Sequence, residues 1–201
     1  MQIYADRHAL HRIPELELEL PKTQAYLKES LSSLSCQVFS PFASGLCAWF
    51  DFGAEEAIAF RADMDALPIT ENNLDKPYRS KHDGIMHACG HDMHATMLMG
   101  AAKLLKEHED EIEGTVKLMF QPAEEIFKGS LDMISAGVLE NPKVDAAVMI
   151  HVISGLPMPT GMFMVPNAGG VTMNTCEQYK ITVVGKGGHG STPSKAIDPI
   201  T

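Results

Sequence analysis

The sequence predicts an α/β protein in which helices pack on the faces of a β-sheet. Segments with apolar residues at helical spacing take turns along the chain with segments of alternating or unbroken apolar residues. This succession is typical of α/β sheets. The chain has 201 residues, of which 45% are hydrophobic and 21% are charged, so it can bury a sizeable core.

The first helical region is predicted over residues 4–34. Leu27 and Leu31 recur at helical spacing. Pro14 and Pro21 interrupt the region, because proline breaks a helix from within. We therefore expect short helical pieces before the longer apolar stripe.

Two strands are predicted next, over residues 46–52 and 57–61. The residues between them, 53–56, resemble a hairpin turn, so we expect the two strands to pair. Residues 63–90 are rich in Pro, Asn and Gly, which favours a long loop.

The remaining elements of this domain alternate. A helix is predicted over residues 92–106, a strand over 116–120, a short helix over 131–139 and a strand over 144–150. The last of these is an almost unbroken apolar run, which predicts a strand buried on both faces.

A change in composition predicts a domain boundary near residue 175. Residues 154–175 are rich in Gly, Pro and Met, and residues 179–183 alternate as a new strand would. We expect a catalytic domain over 1–174 and the start of a second domain over 175–201, which is too short to build a core alone.

Charge and composition exclude several partner classes. Sixteen Lys and Arg against 26 Asp and Glu give a net charge of −10, which disfavours nucleic acid and anionic membranes as partners. No apolar run approaches the roughly 20 residues of a spanning helix, and no secretory signal is visible. The four cysteines show no disulfide spacing, so a reducing cytoplasm is the expected location.

Residues with metal-binding side chains follow the predicted strands. Asp63 and Asp65 follow one strand, Glu124 and Glu125 follow another, and His151 follows a third. Ligands of open α/β sheets bind outside the carboxyl ends of the strands, so these side chains are expected at one edge.

A second group of such residues lies just before the predicted helix 92–106. Four of the nine histidines fall within thirteen residues, and Cys89 and His91 lie among them. Thiolate, imidazole and carboxylate together favour a divalent metal. His94 lies three residues after His91, on the same face of the predicted helix. This spacing is compatible with a metal ligand, a supporting partner of a ligand or a packing residue. Residues 187–190 lack the order of a phosphate loop, and their glycines expose His189.

Five ordered motifs resemble the peptidase M20 family of metal-dependent hydrolases, and in particular its amidohydrolase branch. They cover nearly the whole chain and are His11-Arg12-Ile13-Pro14-Glu15-Leu16, Arg61-Ala62-Asp63-Met64-Asp65-Ala66-Leu67-Pro68, Met86-His87-Ala88-Cys89-Gly90-His91-Asp92-Met93-His94, Gln121-Pro122-Ala123-Glu124-Glu125 and Gly187-Gly188-His189-Gly190.

The resemblance implies a mixed sheet flanked by helices, with an inserted α+β lid domain that often dimerises. It also implies two neighbouring divalent metals, zinc or manganese with cobalt or nickel as alternatives. The implied reaction is hydrolysis of N-acyl amino acids or related amides by an activated water, in a homodimer completed by the lid. Glu124 is implied as the general base, His189 as a lid residue that polarises the scissile carbonyl and Asp65 as a support. The implied metal ligands are Cys89, His91, Glu125 and His151.

Two other functions stay open on the sequence. The family usually has a further metal-binding histidine late in the chain, which residues 1–201 do not supply, so a non-catalytic truncated product is one alternative. The other is a cysteine hydrolase in which Cys89 is the nucleophile and His87 or His91 is the base.

Overall fold

The computed structural model describes residues 2–165, 177 and 179–200. Its regular elements, in chain order, are α1 (Gln2–His11), α2 (Pro21–Ser32), β1 (Gln37–Phe39), β2 (Leu46–Asp51), β3 (Ala57–Asp63), α3 (His91–Glu107), β4 (Thr115–Gln121), α4 (Gly129–Ser135) and β5 (Ala146–Met149), with single 3-10 turns at Glu109–Glu111 and Pro193–Lys195.

The strands form one open mixed sheet in the order β1-β2-β4-β3-β5. β2 runs antiparallel to β1 and β4, whereas β3 runs parallel to both β4 and β5. The predicted α/β class is therefore confirmed, and the three parallel strands β4, β3 and β5 present their carboxyl ends along one edge.

The predicted hairpin between β2 and β3 is wrong, because β4 lies between them. Asp51 of β2 and Ala57 of β3 both lie opposite Thr115, the first residue of β4. The connecting residues pass around this end of β4: Phe52 N–H donates to the Gly114 carbonyl at 2.8 Å, and Glu56 accepts from Thr115 N–H at 2.8 Å. Two strand spacings amount to about 10 Å, which so short a link can span.

Helices cover both faces of the sheet. On one face the main core brings α2 and α3 onto the sheet, with Leu27, Leu31 and Met99 against Leu118 and Phe120. On the other face α4 packs against the sheet in a smaller apolar cluster, which includes Cys47, Ala59, Met119 and Met133. Each burial removes apolar surface from water, which is the main stabilising term of the fold.

The central strand β4 is buried at every residue, including Lys117. The Lys117 ammonium donates to the carbonyls of Val138, Asn141 and Pro142 at 2.6, 3.1 and 3.0 Å. Burial lowers the pKa of Lys117. These three hydrogen bonds hold the loop after α4 against the sheet.

The predicted double burial of the strand over residues 144–150 is wrong. All four residues of β5 are exposed, and among the residues that the structure describes β5 pairs with β3 alone. An apolar run gives a strand its β-propensity, but burial of both faces depends on the elements packed above and below the sheet, which cover the central strands better than β5 at its edge. The predicted helix over 131–139 ends sooner than expected, and Gly137 adopts a φ of 74° that a helix does not accept.

The chain divides into two compact units, Met1–Gly155 and Leu156–Thr201. In the second unit the described residues between 179 and 185 form no strand, contrary to the prediction, and Tyr179 is 81% exposed with no strand partner in the described part. A single bridge joins Lys186 to Ile197. The boundary near residue 175 and Cys176 lie outside the described residues, so that boundary stays a prediction. Among the helices that are described, none has the length and apolar content needed to cross a membrane.

Candidate metal centre

Four chain segments meet at the carboxyl edge of the parallel strands. β3 ends at Asp63, β4 leads into Glu124 and Glu125, and β5 leads into His151. The start of α3 supplies the fourth segment, with His91 as its first residue. The sequence-based expectation that these residues share one edge is therefore met by the topology.

His91 lies at the centre of this edge and is fully buried. Its Nδ1 lies 2.8 Å from the backbone carbonyl of Asp65, which can only accept, so Nδ1 carries the proton. Its Nε2 then faces three carboxylate oxygens, Asp63 Oδ2 at 3.6 Å, Glu125 Oε1 at 3.7 Å and Glu124 Oε2 at 3.8 Å. Nε2 of His91 and Oε1 of Glu125 are both buried and lack a hydrogen-bond partner among the described residues.

Three overlapping groups of donor atoms share His91. They are Cys89 with His91 and His151, Asp63 with His91 and His94, and His91 with Glu124 and Glu125, and within each group the donor atoms lie within 4.8 Å of one another. Sulfur, nitrogen and oxygen donors at this spacing suit a borderline-soft divalent cation. The unpartnered Nε2 of His91, aimed at carboxylates, fits such a cation directly.

The electrostatics of the edge also favour a cation. Burial raises the pKa of Cys89, and the carboxylates of Glu125, Glu124 and Asp63 add to this and bring it to about 12. Burial raises the pKa of Glu125 as well, with a further contribution from Glu124. Negative charges thus crowd one small volume, and a divalent cation there would reverse their mutual repulsion.

Asp65 holds the two glutamates in place from beneath. The residue is 1% exposed, and its Oδ1 and Oδ2 accept the backbone N–H of Glu124 at 3.1 Å and of Glu125 at 3.2 Å. The turn continues through a hydrogen bond from Phe127 N–H to the Glu124 carbonyl. The two side chains then differ in exposure, 32% for Glu124 and 20% for Glu125.

His94 uses both ring nitrogens within the protein. Its Nδ1 donates to Asp63 Oδ1 at 2.5 Å, and its Nε2 accepts from Val152 N–H at 2.9 Å. Burial raises the pKa of Asp63, but the bond from His94 and the charges of His91 and Arg61 outweigh it, so the net shift is well downward. His94 therefore supports the segment that carries His151, while its three possible roles stay predictions.

The other predicted residues fall into two groups. His151 is exposed, and its Nε2 lies 3.4 Å from Cys89 Sγ. His189 belongs to the second unit, where its Nδ1 lies 2.9 Å from Ser191 Oγ. The structure brings Cys89, His91, Glu124, Glu125, His151 and Asp65 together at one edge. Their roles as ligands or as base stay predictions.

The sequence reasoning placed Asp63 at this edge but assigned it no specific role, and it left the role of His94 open. Asp63 ends β3 two residues before Asp65, so the alternation of side chains along a strand places both on a common side. This period-two spacing and the three-residue spacing of His91 and His94 were the available signals.

The described residues form an open mixed α/β sheet with thiol, imidazole and carboxylate donors at its parallel edge, an arrangement that suits a divalent metal. Comparisons with known proteins agree. The profile of Peptidase family M20/M25/M40 matches residues 59–196, and the chain belongs to this family.

Curated relatives match nearly the whole of this chain over about half of their own length. The IAA-amino acid hydrolase ILR1-like 5 of Arabidopsis thaliana is 44% identical over 195 residues, which are 96% of this chain and 43% of that protein. The N-acetyl-L-cysteine deacetylase of Bacillus subtilis (strain 168) is 40% identical over 202 residues, 99% of this chain and 47% of that protein. This chain thus spans about half the length of these relatives.

A solved structure shows the same fold. The YxeP protein of Bacillus subtilis, described as a dinuclear metal binding peptidase from the M20 family, superposes with a TM-score of 0.72 at 38% sequence identity. The match covers 78% of this chain and 44% of that one. The mixed sheet with flanking helices is therefore the catalytic-domain architecture of the family.

Proposed function

We propose that this chain carries most of the metal centre of an amidohydrolase that cleaves N-acyl amino acids or related amides. The observation that carries the proposal is the buried Nε2 of His91, which has no hydrogen-bond partner in the described part of the chain and faces carboxylates beside a thiol. Cys89, His91, Glu125 and His151 would hold two divalent cations, zinc or manganese, together with a further histidine from outside this sequence. When bound, such cations polarise a water and the scissile carbonyl.

Glu124 is the proposed general base. Its carboxylate is more exposed than that of Glu125, so it can contact a water. The hydrogen bond from its backbone N–H to Asp65 keeps the backbone of Glu124 fixed meanwhile. Glu124 accepts a proton from the water and then passes it to the leaving amine. Glu125, which is more buried and has an unpartnered oxygen, suits a ligand instead.

Asp65 supports this chemistry as a positioning residue. Its carboxylate fixes the backbone of both glutamates, and its own backbone carbonyl fixes the tautomer of His91. Because their backbones are fixed in this way, the side chains of Glu124, the proposed base, and Glu125, the proposed ligand, can point in different directions although the two residues are adjacent in sequence.

His189, the lid and the assembly extend the proposal beyond the metal edge. We infer from the family resemblance that His189 helps polarise the substrate carbonyl and that the complete lid forms a homodimer. His189 is exposed in its own unit, as a residue that meets substrate must be. The proposed substrate is a small N-acyl amino acid, and the proposed location is the cytoplasm. The net charge of −10 disfavours nucleic acid as a partner.

A cysteine hydrolase finds less support. A nucleophilic cysteine needs a depressed pKa, whereas burial and neighbouring carboxylates raise the pKa of Cys89 to about 12. Burial lowers the pKa of His87 to about 4, and both ring nitrogens of this residue lack a partner among the described residues. Neither feature suits a thiolate–imidazolium pair.

The test measures metal content and turnover together. Purified protein is analysed for zinc and manganese before and after chelation, and assayed on N-acetyl-L-cysteine and on an indole-3-acetyl amino acid. We expect bound metal, chelator-sensitive hydrolysis, and loss of metal in Cys89→Ser. Chelator-resistant hydrolysis that is abolished by thiol alkylation would replace this proposal with the cysteine hydrolase. Metal binding without turnover of any amide would instead support the alternative of a non-catalytic, truncated protein.

A further inference from the structure

A chain of buried polar side chains lies outside the donor groups, where α1 packs against α3. His11 Nδ1 lies 2.7 Å from Asp92 Oδ2, and His11 Nε2 lies 3.2 Å from Glu71 Oε1. The exposed fractions of His11, Asp92 and Glu71 are 3%, 1% and 7%. Arg7 Nε lies 3.0 Å from the same oxygen of Asp92. The motif that contains His11 marked the family resemblance but has no role in the chemistry proposed above.

Asp92 directly follows two of the proposed ligands. Cys89, Gly90, His91 and Asp92 are consecutive, and Asp92 is the second residue of α3. Gly90 has a φ of 91°, and a Cβ at this position would lie 2.5 Å from Cγ2 of Val152. The backbone of this turn is therefore fixed by close packing at Gly90 and by His11 at Asp92.

His11 also ties down the loop that leads to this turn. Glu71 Oε2 accepts from Ser80 N–H at 2.6 Å, so the second arm of His11 reaches a buried bend of the loop. Leu67 and Met86 pair across the base of the same loop. One imidazole thus connects α1 to both the loop and the helix start that deliver Cys89 and His91.

The chemistry of the His11–Asp92 contact indicates that it orients the first turn of α3 rather than adding to the stability of the fold. An apolar side chain of similar size would fill the same space, and buried ion pairs add little net stability compared with well-packed apolar replacements. A directional pair does restrict how the first turn of α3 sits. Hydrogen-bonded groups outside the ligands of a metal site set the orientation of those ligands.

We propose that His11 is a positioning residue of the metal centre, which acts through Asp92 on the Cys89–His91 turn. This inference rests on the proposed function, because it requires a cation at that turn.

The experiment is a Co²⁺ titration of the metal-stripped full chain and two matched variants. His11→Asn keeps a donor close to the Nδ1 position, toward Asp92, whereas His11→Gln places its amide at the Nε2 position, toward Glu71. The readouts are the Co²⁺ dissociation constant, the near-ultraviolet thiolate-to-cobalt band of Cys89 and the unfolding midpoint without metal. We expect about 10- to 100-fold weaker binding and a reduced band in His11→Gln. His11→Asn should retain most of the affinity and the band.

The outcomes separate the two proposals. If wild-type protein shows no Co²⁺ band, the proposed metal centre falls and this inference falls with it. If wild type binds Co²⁺ and His11→Gln lowers the unfolding midpoint while it keeps affinity and band, the role is structural only and the inference is overturned. Should His11→Gln fail to fold, Asp92→Asn provides the same readouts from the other partner, and wild-type affinity in that variant would also overturn it.

Discussion

Asp65→Asn gives a sharp test of how the two glutamates are held. The carboxylate of Asp65 accepts two backbone N–H groups, at 3.1 and 3.2 Å. An asparagine of the same shape offers one oxygen and one NH₂ group, so one N–H must face a donor instead of an acceptor. The loss of a buried hydrogen bond to a charged group is worth about 1.5–3 kcal/mol.

This energy converts into measurable effects on catalysis and stability. If the loss is felt at Glu124, a factor of ten per 1.4 kcal/mol gives a fall in kcat of roughly 10- to 150-fold. The same loss would lower the unfolding midpoint by roughly 3–12 °C in a chain of this size. Asp51→Asn is the matched control, because Asp51 accepts one N–H, from Gly53, at an exposed turn.

The assay compares kcat on N-acetyl-L-cysteine, metal content and thermal unfolding of wild type, Asp65→Asn and Asp51→Asn. We expect metal to be partly retained and kcat to fall in Asp65→Asn alone. Wild-type kcat with wild-type metal content in Asp65→Asn would refute the view that this carboxylate positions the base.

Three further predictions concern Glu124 as the base, Lys117 in the core and Asp6, which affects the stability of the fold at acid pH. Glu124→Gln should keep its metal, as elemental analysis would show, while kcat falls about 10²- to 10⁴-fold; a kcat near wild type would remove Glu124 as base. Lys117→Met withdraws three hydrogen bonds from carbonyls, each worth about 1 kcal/mol, so urea unfolding should show a loss of about 3 kcal/mol, and an unchanged midpoint would contradict this. Burial raises the pKa of Asp6, but hydrogen bonds from three neighbouring side chains outweigh it and lower the pKa overall. The stability it adds is therefore present above pH ~4 and is lost as pH falls further, and Asp6→Asn should flatten that acid limb in unfolding measured from pH 3 to 6.

The edge of the sheet could be predicted because it depends on local patterns and one general rule. Each of β3, β4 and β5 carries a clear apolar pattern, and the residues just after them are acids or a histidine. Once parallel strands are assumed, their carboxyl ends must meet. The ordered motifs then gave the family, which the comparisons show.

Other features depend on contacts between distant parts of the chain, which no local pattern reports. The pairing of β2 with β4 rather than β3 follows from how the 53–56 link passes around Thr115. The burial of Lys117 depends on three carbonyl partners that lie 21 to 25 residues away. The contact of His11 with Asp92 spans 81 residues.

The one-sided pairing of β5 links cation binding to local opening of the sheet. Within the described part of the chain β5 is an edge strand bonded to β3 alone, and such a strand opens at a lower free energy than the central β4, so its amides exchange with solvent faster. His151 follows β5 directly, so any opening of β5 moves a proposed ligand. A cation that binds only the closed form would therefore slow hydrogen exchange through this opening by a factor of about one plus the ratio of its concentration to its dissociation constant. Hydrogen exchange in β5, at one edge of the sheet, would then report directly on metal occupancy.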